Sequence, residues 1–388
     1  PQSSRVWMSH GDKVLEAPAG FRQIARTDGS EAAALSRGEI TLIQFHPEVN
    51  HTESGRRILR NFVVDICGCR PDWNAGSFVD GTVGAIREQV GDAGVLLGIS
   101  GGVDSAVAAA LVHAAVGDRL HCIFVDTGLL RANEVAEVEQ SLRTGTGLDL
   151  VTVDAADRFL EKLKGVSDPE RKREIIGDEF FAVFIEEAAK LDGIEFFVQG
   201  TIYPDTIESG SAGLGSAKIK THHNTRIPDQ LQLKVIEPLR RLFKDEVREV
   251  GLELELPEGL VWRQPFPGPG LAVRLIGEIT RERVAALQAA DRIFREEVAA
   301  AGLEREISQY FAALTGIRTV GVMGDSRTYG EVAALRAVTT DDFMTADWFR
   351  LPDDVLAQTS SRIVNEVSAI TRVVYDVTSK PPGTIEWE

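Results

Sequence analysis

The sequence predicts an α/β protein built on an open parallel sheet, with a shorter α/β segment before it and an α+β segment after it. Between residues 95 and 198 short apolar runs alternate with helical patterns, and parallel strands require such crossovers. The first apolar run leads at once into a glycine-rich turn and an alanine-rich helix. The string Pro265-Phe266-Pro267-Gly268-Pro269-Gly270 then ends the alternation, because it can continue neither a helix nor a central strand.

Residues 1–70 hold short strand-like runs, among them 40–45, and a helical pattern over 53–67. There Ile58, Leu59, Phe62, Val63 and Ile66 fall at helical spacing. Residues 71–76 are rich in turn formers and read as a linker. The alternating segment, 71–263, offers strands at 95–99, 120–125, 150–153 and 195–198, with helices over 106–116, 134–143 and 172–190. Ligands of open α/β sheets bind beyond the carboxyl ends of the strands, so the turns after these runs hold the candidate site. In the last segment, 264–388, a strand is expected at 271–275 and an amphipathic helix at 280–301. Further strands are expected at 318–323, 332–338 and 372–376.

A formal net charge of −17 argues against a nucleic-acid-tracking surface, which needs a broad positive patch, but leaves room for a local pocket for one nucleotide. Three cysteines, Cys67, Cys69 and Cys122, are too few for a disulfide framework, and the first two are too close to bridge easily. Free thiols in a reducing cytoplasm are the expectation. No apolar run approaches the roughly 20 residues of a membrane span, and no signal peptide is visible. The chain opens at Pro1, already inside alternating structure, so a segment upstream is expected.

Chemistry concentrates in Ser100-Gly101-Gly102-Val103-Asp104-Ser105, between the strand at 95–99 and the helix that follows. Two glycines let the backbone approach a ligand, and successive N–H groups cradle an anion. The helix N-terminus adds partial positive charge, and Ser100 and Ser105 bring hydroxyl donors. Asp104 suits such a site when Mg²⁺ bridges its carboxylate to phosphate oxygens. The plain alternative is a glycine turn with an Asp cap, and the strand–turn–helix context favours phosphate. No Lys precedes the closing Ser, so this is not a Walker loop.

The loop resembles the pyrophosphate loop of the N-type ATP pyrophosphatases, which split ATP between the α- and β-phosphates and transfer AMP to a substrate oxygen. Further strings narrow the resemblance. They are residues 124–131 (Phe-Val-Asp-Thr-Gly-Leu-Leu-Arg), 199–209 (Gln-Gly-Thr-Ile-Tyr-Pro-Asp-Thr-Ile-Glu-Ser), 219–224 (Ile-Lys-Thr-His-His-Asn), 243–248 (Phe-Lys-Asp-Glu-Val-Arg) and 379–388. With the proline–glycine string they resemble the GMP synthetase family from the linker to the last residue. That resemblance implies adenylation of the C2 oxygen of XMP, loss of pyrophosphate, and displacement of AMP by ammonia to give GMP. It also implies a homodimer formed through 264–388, and partners limited to XMP, Mg²⁺·ATP and glutamine or ammonia, without nucleic acid or membrane.

By resemblance, ATP is held by Ser100, Gly101, Gly102, Val103, Asp104, Ser105, Ala106, Val125, Gly200, Asp205, Glu208, His222 and His223. Lys220 and Asp104 are the catalytic pair of this segment, and Asp104 meets the metal. XMP is assigned to Arg131, Gln309, Asp325, Lys380 and Glu386. Asp205 and Glu208, with glycines close behind, fit a flexible lid over Mg²⁺·ATP; without the resemblance they would read as a solvated acidic loop, Arg131 as a solvated helix-start residue, and 380–388 as a frayed tail. The string 224–228 departs from the family pattern and is short.

Residues 7–12 (Trp-Met-Ser-His-Gly-Asp) and 44–48 (Gln-Phe-His-Pro-Glu) resemble the end of a class I glutamine amidotransferase. His46 and Glu48 would be base and orienter of a Cys-His-Glu triad whose nucleophile is expected upstream. All three cysteines follow His46, so ammonia is the nitrogen source expected for this chain and glutamine for a complete enzyme. Rival readings are an RNA-thiolating member of the same loop family, argininosuccinate synthetase, and a nucleotide-binding module without turnover. The absence of a basic face counts against thiolation. Residues 220–224 and 380–388 count against a silent module.

Overall fold

The computed structural model describes residues 3–8, 11–49, 51–148, 150–210, 231–323, 325–340, 343 and 345–388. By contacts it forms two units, Pro1–Trp73 with Thr340–Thr345, and Asn74–Thr339 with Ala346–Glu388.

In the first unit β1 (Arg22–Ala25), β2 (Ala34–Arg37) and β3 (Ile40–Ile43) form an antiparallel sheet in that order. Arg37 pairs with Ile40, leaving a two-residue turn in which Gly38 takes the required positive φ of 58°. The expected helix is present as α1 (Gly55–Arg60), which continues as a π-helical stretch, Asn61–Ile66. Its apolar stripe is exposed: Leu59, Phe62, Val63 and Ile66 all face outward.

The second unit opens with α2 (Ala75–Val90), capped by Asn74, whose side chain accepts from Ser77 N at 2.9 Å. Then come β4 (Gly94–Ile99), α3 (Val103–Val116), β5 (Leu120–Asp126), α4 (Glu134–Thr146), β6 (Leu150–Asp154), α5 (Ala156–Leu163), α6 (Pro169–Ala188), β7 (Ile194–Val198), α7 (Tyr203–Gly210), β8 (Lys234–Ile236), α8 (Lys244–Glu253) and α9 (Glu258–Val261). The five strands are all parallel, in the order β6-β5-β4-β7-β8. The chain therefore winds one way from β4 and the other way from β7, and the switch point lies between them. The core helix α3 is apolar nearly all round, and its alanines let it lie close against β4.

The last part holds α10 (Arg281–Ala300), capped by Thr280, then a long hairpin of β9 (Gln309–Met323) and β10 (Ser326–Thr339). After it come β11 (Asp347–Trp348), α11 (Asp353–Glu366) and β12 (Ile370–Tyr375), the last running parallel to β10. One apolar core joins this part to the parallel sheet, with Leu96, Phe197, Phe294 and Leu335 in a single cluster.

One expected element is overturned. The run at 271–275 is no strand but a buried 3₁₀ turn, Gly270–Arg274. Gly270 has φ +63°, and a Cβ there would lie 2.4 Å from the Leu129 carbonyl oxygen, which accepts from Leu271 N at 2.7 Å. A short apolar run signals burial and does not distinguish a strand from a buried turn. The helix Asp353–Glu366 was not anticipated.

Candidate active site

The phosphate loop follows β4 at the switch point. Gly101 is needed there: its φ is +77°, and an added Cβ would sit 3.2 Å from Val138 Cγ2. Ser105 Oγ donates to Gly102 O at 3.0 Å, accepts from Ser100 N at 3.3 Å and lies 3.0 Å from Ser100 Oγ. Both hydroxyls staple the loop to itself and fix its N–H groups in place. Val103 and Ala106 are buried in the core around α3, and Val125 in the other core, so these three can meet a ligand only through their backbone.

Gly200 closes the far side of the switch point. Its missing Cβ would stand 3.5 Å from Asp104 C and Ser105 N, so the turn after β7 lies directly against the start of α3. Asp104, in the first turn of α3, is partly open, and Lys244 Nζ meets both its oxygens at 2.8 and 2.6 Å. Asp205 sits in the first turn of α7, where its Oδ2 accepts from Ile202 N at 3.1 Å. The acidic loop expected here is thus helix through Gly210, with Glu208 one turn beyond Asp205; the side chain of Glu208 lies outside the description, as do Lys220, His222 and His223.

Arg131 is buried, not the solvated residue that sequence position alone suggests. Its backbone N–H donates to Glu134 Oε2 at 2.8 Å; Glu134 pairs with Arg263 at 3.0 Å, and Arg263 donates to Gly101 O at 3.0 Å. Arg131 is thereby tied to the phosphate loop through two residues that sequence reasoning missed. Its guanidinium lies 4.6 Å over Phe266 and 3.7 Å from Asp291, with Nε and Nη2 lacking hydrogen-bond partners among the described residues. Burial lowers its pKa to about 10, against the pull of Asp291. Arg131 and Glu134 also line an open cleft of about 340 Å³ beyond the end of β5, with Asp126, Asn133 and Gln288.

Gln309 and Glu386 meet beside it. Arg274, fully buried, grips Glu386 in a fork at 2.9 and 2.8 Å, and Gln309 Nε2 donates to the same carboxylate at 2.6 Å. Arg131 and Arg274 share the faces of Phe266 and the carboxylate of Asp291. Asp325 is not brought to this group. It sits at the tip of the β9–β10 hairpin, at the far end of a 15-residue strand from Gln309, which spans roughly 45 Å if extended. Lys380 pairs by backbone with Ala346, its N–H donating at 2.8 Å and its carbonyl accepting at 3.0 Å.

In the first unit His46 Nδ1 and Glu48 Oε1 are 2.8 Å apart, which leaves Nε2 for a reacting group. His46 is fixed by backbone bridging to Trp7 and by the Thr52 hydroxyl, which donates to its carbonyl at 2.5 Å. All three cysteines are free. Cys67 and Cys69 are exposed past the π-helical stretch, while Cys122 is buried in β5, where desolvation pushes its thiol up to about 12.

Family models match three parts of the chain. Residues 1–66 match the glutamine amidotransferase class-I family, 78–143 the NAD synthase family, and 296–387 the GMP synthase C terminal domain. The glutamine-hydrolysing GMP synthase of Acetivibrio thermocellus is 59% identical over 391 aligned residues, covering 100% of this chain and 76% of that protein. The chain belongs to the GMP synthase family. GMP synthases of Ruminiclostridium cellulolyticum and Clostridium botulinum are 57% and 56% identical, with the same coverage. Among solved structures it is similar to an NMN synthetase from Francisella tularensis, at TM-score 0.40 and 15% identity over 51% of this chain and 78% of that one. An ammonia-dependent NAD synthetase from Campylobacter jejuni gives 0.38 and 15%, over 60% and 86%. The family relationship rests on the sequence relatives. No helix among the described residues is long and apolar enough to cross a membrane.

Proposed function

We propose that the chain aminates XMP to GMP at the expense of ATP, in purine nucleotide synthesis. The observation that carries this reading is the stapled phosphate loop at the switch point of the parallel sheet, in a chain of the GMP synthase family. The C2 oxygen of the purine attacks the α-phosphorus, and pyrophosphate departs toward the loop N–H groups. Ammonia then adds at C2, and AMP leaves with the oxygen. Adenylation turns a poor leaving group into a good one, so the protein's work is mainly positioning and charge neutralisation.

Residues 71–263 serve as the ATP domain and 264–388 complete the XMP site, with Arg131, Gln309 and Glu386 near the base and Lys380 on the phosphate. Asp205, Glu208, Lys220, His222 and His223 act over the polyphosphate. Mg²⁺ enters as part of Mg²⁺·ATP. The fit is to a substrate-borne ion: no group of three metal-ligating side chains occurs among the described residues, and one carboxylate plus phosphate oxygens is an ordinary magnesium shell. Asp104 would hold it, and the ion would supply neutralisation of the departing pyrophosphate. The hairpin leaves Ile317, Val322 and Tyr329 exposed, which favours a homodimer through this part. The free thiols fit a reducing cytoplasm.

The test is isotopic. A polypeptide of these 388 residues, given XMP, ATP, Mg²⁺ and either labelled ammonium or amide-labelled glutamine, should incorporate nitrogen from ammonium alone. AMP should appear in step with GMP. His46 and Glu48 can move a proton, but freeing amide nitrogen needs a thiolate, and no cysteine precedes His46. ADP in place of AMP would refute adenylation, and label from glutamine would refute the triad assignment.

A further inference from the structure

Arg274 carries no role in the motifs of the sequence, yet it is completely buried beside residues assigned to XMP. Its guanidinium lies over the rings of Phe311 and Phe266, 4.1 and 5.3 Å from their centroids, with Asp291 3.9 Å from Nη1. That packing turns the fork of Nε and Nη2 toward Glu386, at 2.9 and 2.8 Å. The oxygens of Glu386 are then unequally used. Oε1 accepts from Arg274 Nη2 and from Gln309 Nε2, while among the described residues Oε2 accepts from Arg274 Nε alone. A carboxylate oxygen has two acceptor sites, so Oε2 keeps one, on a side chain that is 20% exposed.

The amination reading brings two purine nucleotides to one chain, and they differ at ring position N1. Xanthine, like hypoxanthine, carries N1–H, whereas adenine has a lone pair there. An ionised carboxylate only accepts, so it pairs with the first edge and repels the second. We propose that Arg274 is a positioning residue that sets the base specificity of the XMP site: by holding both oxygens of Glu386 it aims Oε2 at the N1–H of a 6-oxopurine and turns adenine away. N1 lies on the ring edge remote from the ribose, next to the C2 that is activated. A planar guanidinium fork fixes both carboxylate oxygens at once, which an ammonium, as a point charge, does not. The role rests on the amination reading for its substrate, but binding alone tests it.

The measurement is displacement of bound XMP by IMP and by AMP, followed by calorimetry on the full chain. The two displacers share ribose and phosphate, and only IMP carries N1–H. The wild type should favour IMP over AMP by about tenfold or more, as expected of a hydrogen bond to a charged group. Arg274→Met should weaken XMP binding about tenfold and bring IMP and AMP together. Glu386→Ala should do the same, and the double substitution should be little worse than Glu386→Ala alone, because Arg274 acts through that carboxylate. Arg274→Lys keeps a cation beside Asp291, which guards against a methionine variant that does not fold, and it should still lose most of the IMP preference. If Arg274 only packs the domain, its loss weakens all three nucleotides in proportion and multiplies with that of Glu386→Ala, which overturns the role. A wild type that binds XMP without preferring IMP overturns it too, as does a folded Arg274→Lys with the wild-type preference. A wild type that binds no XMP overturns the role and the amination reading together. One that prefers IMP through Arg274 yet forms no GMP from XMP, ATP and ammonia supports the role and overturns the amination reading alone.

Discussion

The helical stretch at 55–66 and the tail at 378–388 reverse what their sequences suggest. The helix carries an apolar stripe at the spacing that normally faces a core, yet its side chains are exposed. The tail reads as a frayed end, yet buried cations from distant parts of the chain hold it down. Arg336, 1% exposed, donates to the carbonyls of Thr378, Thr384 and Ile385 at 2.8–2.9 Å and pairs with Asp376 at 2.9 Å. Arg274 grips Glu386, and Lys172, also fully buried, meets Glu388 at 2.5 Å. Ile385 packs with Phe311, Val338 and Ala346. Periodicity predicts that an element forms; what covers it depends on partners that periodicity does not name.

If buried charge is what fixes the tail, removing its hub should cost most. Arg336→Met removes the donor to three carbonyls and the cationic partner of Asp376 in one step, leaving Asp376 its bonds from Thr378 N and Trp387 Nε1, so a loss of about 3–5 kcal/mol in urea unfolding is expected. The tail should then become accessible to carboxypeptidase. A loss below about 1 kcal/mol would mean that the remaining contacts of the tail, the packing of Ile385 and the ion pairs of Glu386 with Arg274 and Glu388 with Lys172, hold it without Arg336.

A smaller effect is expected one contact further on. Glu388→Gln leaves Lys172 with the Leu275 carbonyl, at 2.7 Å, as its remaining acceptor among the described residues apart from the neutral amide. The expected loss is about 1.5–3 kcal/mol. Its pH dependence is the sharper test. Burial holds the Lys172 pKa below the ordinary lysine value, and the bond to Glu388 opposes that shift. Between the folded and unfolded values the unfolded chain binds more protons, so stability rises with pH across that window. The substitution removes the opposing bond and widens the window downward. The deficit against wild type should therefore shrink as pH climbs toward about 10, and a deficit independent of pH would exclude Lys172 as its source.

What could be read from the sequence divides along the same line. The parallel sheet and the loop at Ser100–Ser105 were legible because each is written in neighbouring residues, as alternation and as a strand–turn–helix junction, while the His46–Glu48 pair came from the resemblance of a short contiguous string to a class I amidotransferase. Gly200 against Asp104 followed from strand ends meeting at a switch point. The links that organise the rest join residues far apart, Arg263 to Gly101, Lys244 to Asp104 and Lys172 to Glu388, the last 216 positions away. Isolated Arg and Lys carry no local mark of being buried. The 3₁₀ turn at Gly270–Arg274 was misread for a related reason, since its conformation is set by the carbonyl of Leu129.

The exposed stripe gives the smallest expected effect and the cleanest contrast with Arg336. Ile66 is 57% exposed at the end of the π-helical stretch. Serine has nearly the helix propensity of isoleucine, so Ile66→Ser changes little except apolar area. With most of that side chain already in water, the substitution should move unfolding by no more than about 0.5 kcal/mol. Full burial of such a side chain would be worth about 1.5–3 kcal/mol. A loss in that upper range, growing with protein concentration, would mean that a second copy covers the stripe in solution. A loss of the same size independent of concentration would mean that the stripe packs within the chain, and the contrast between helix and tail would fail.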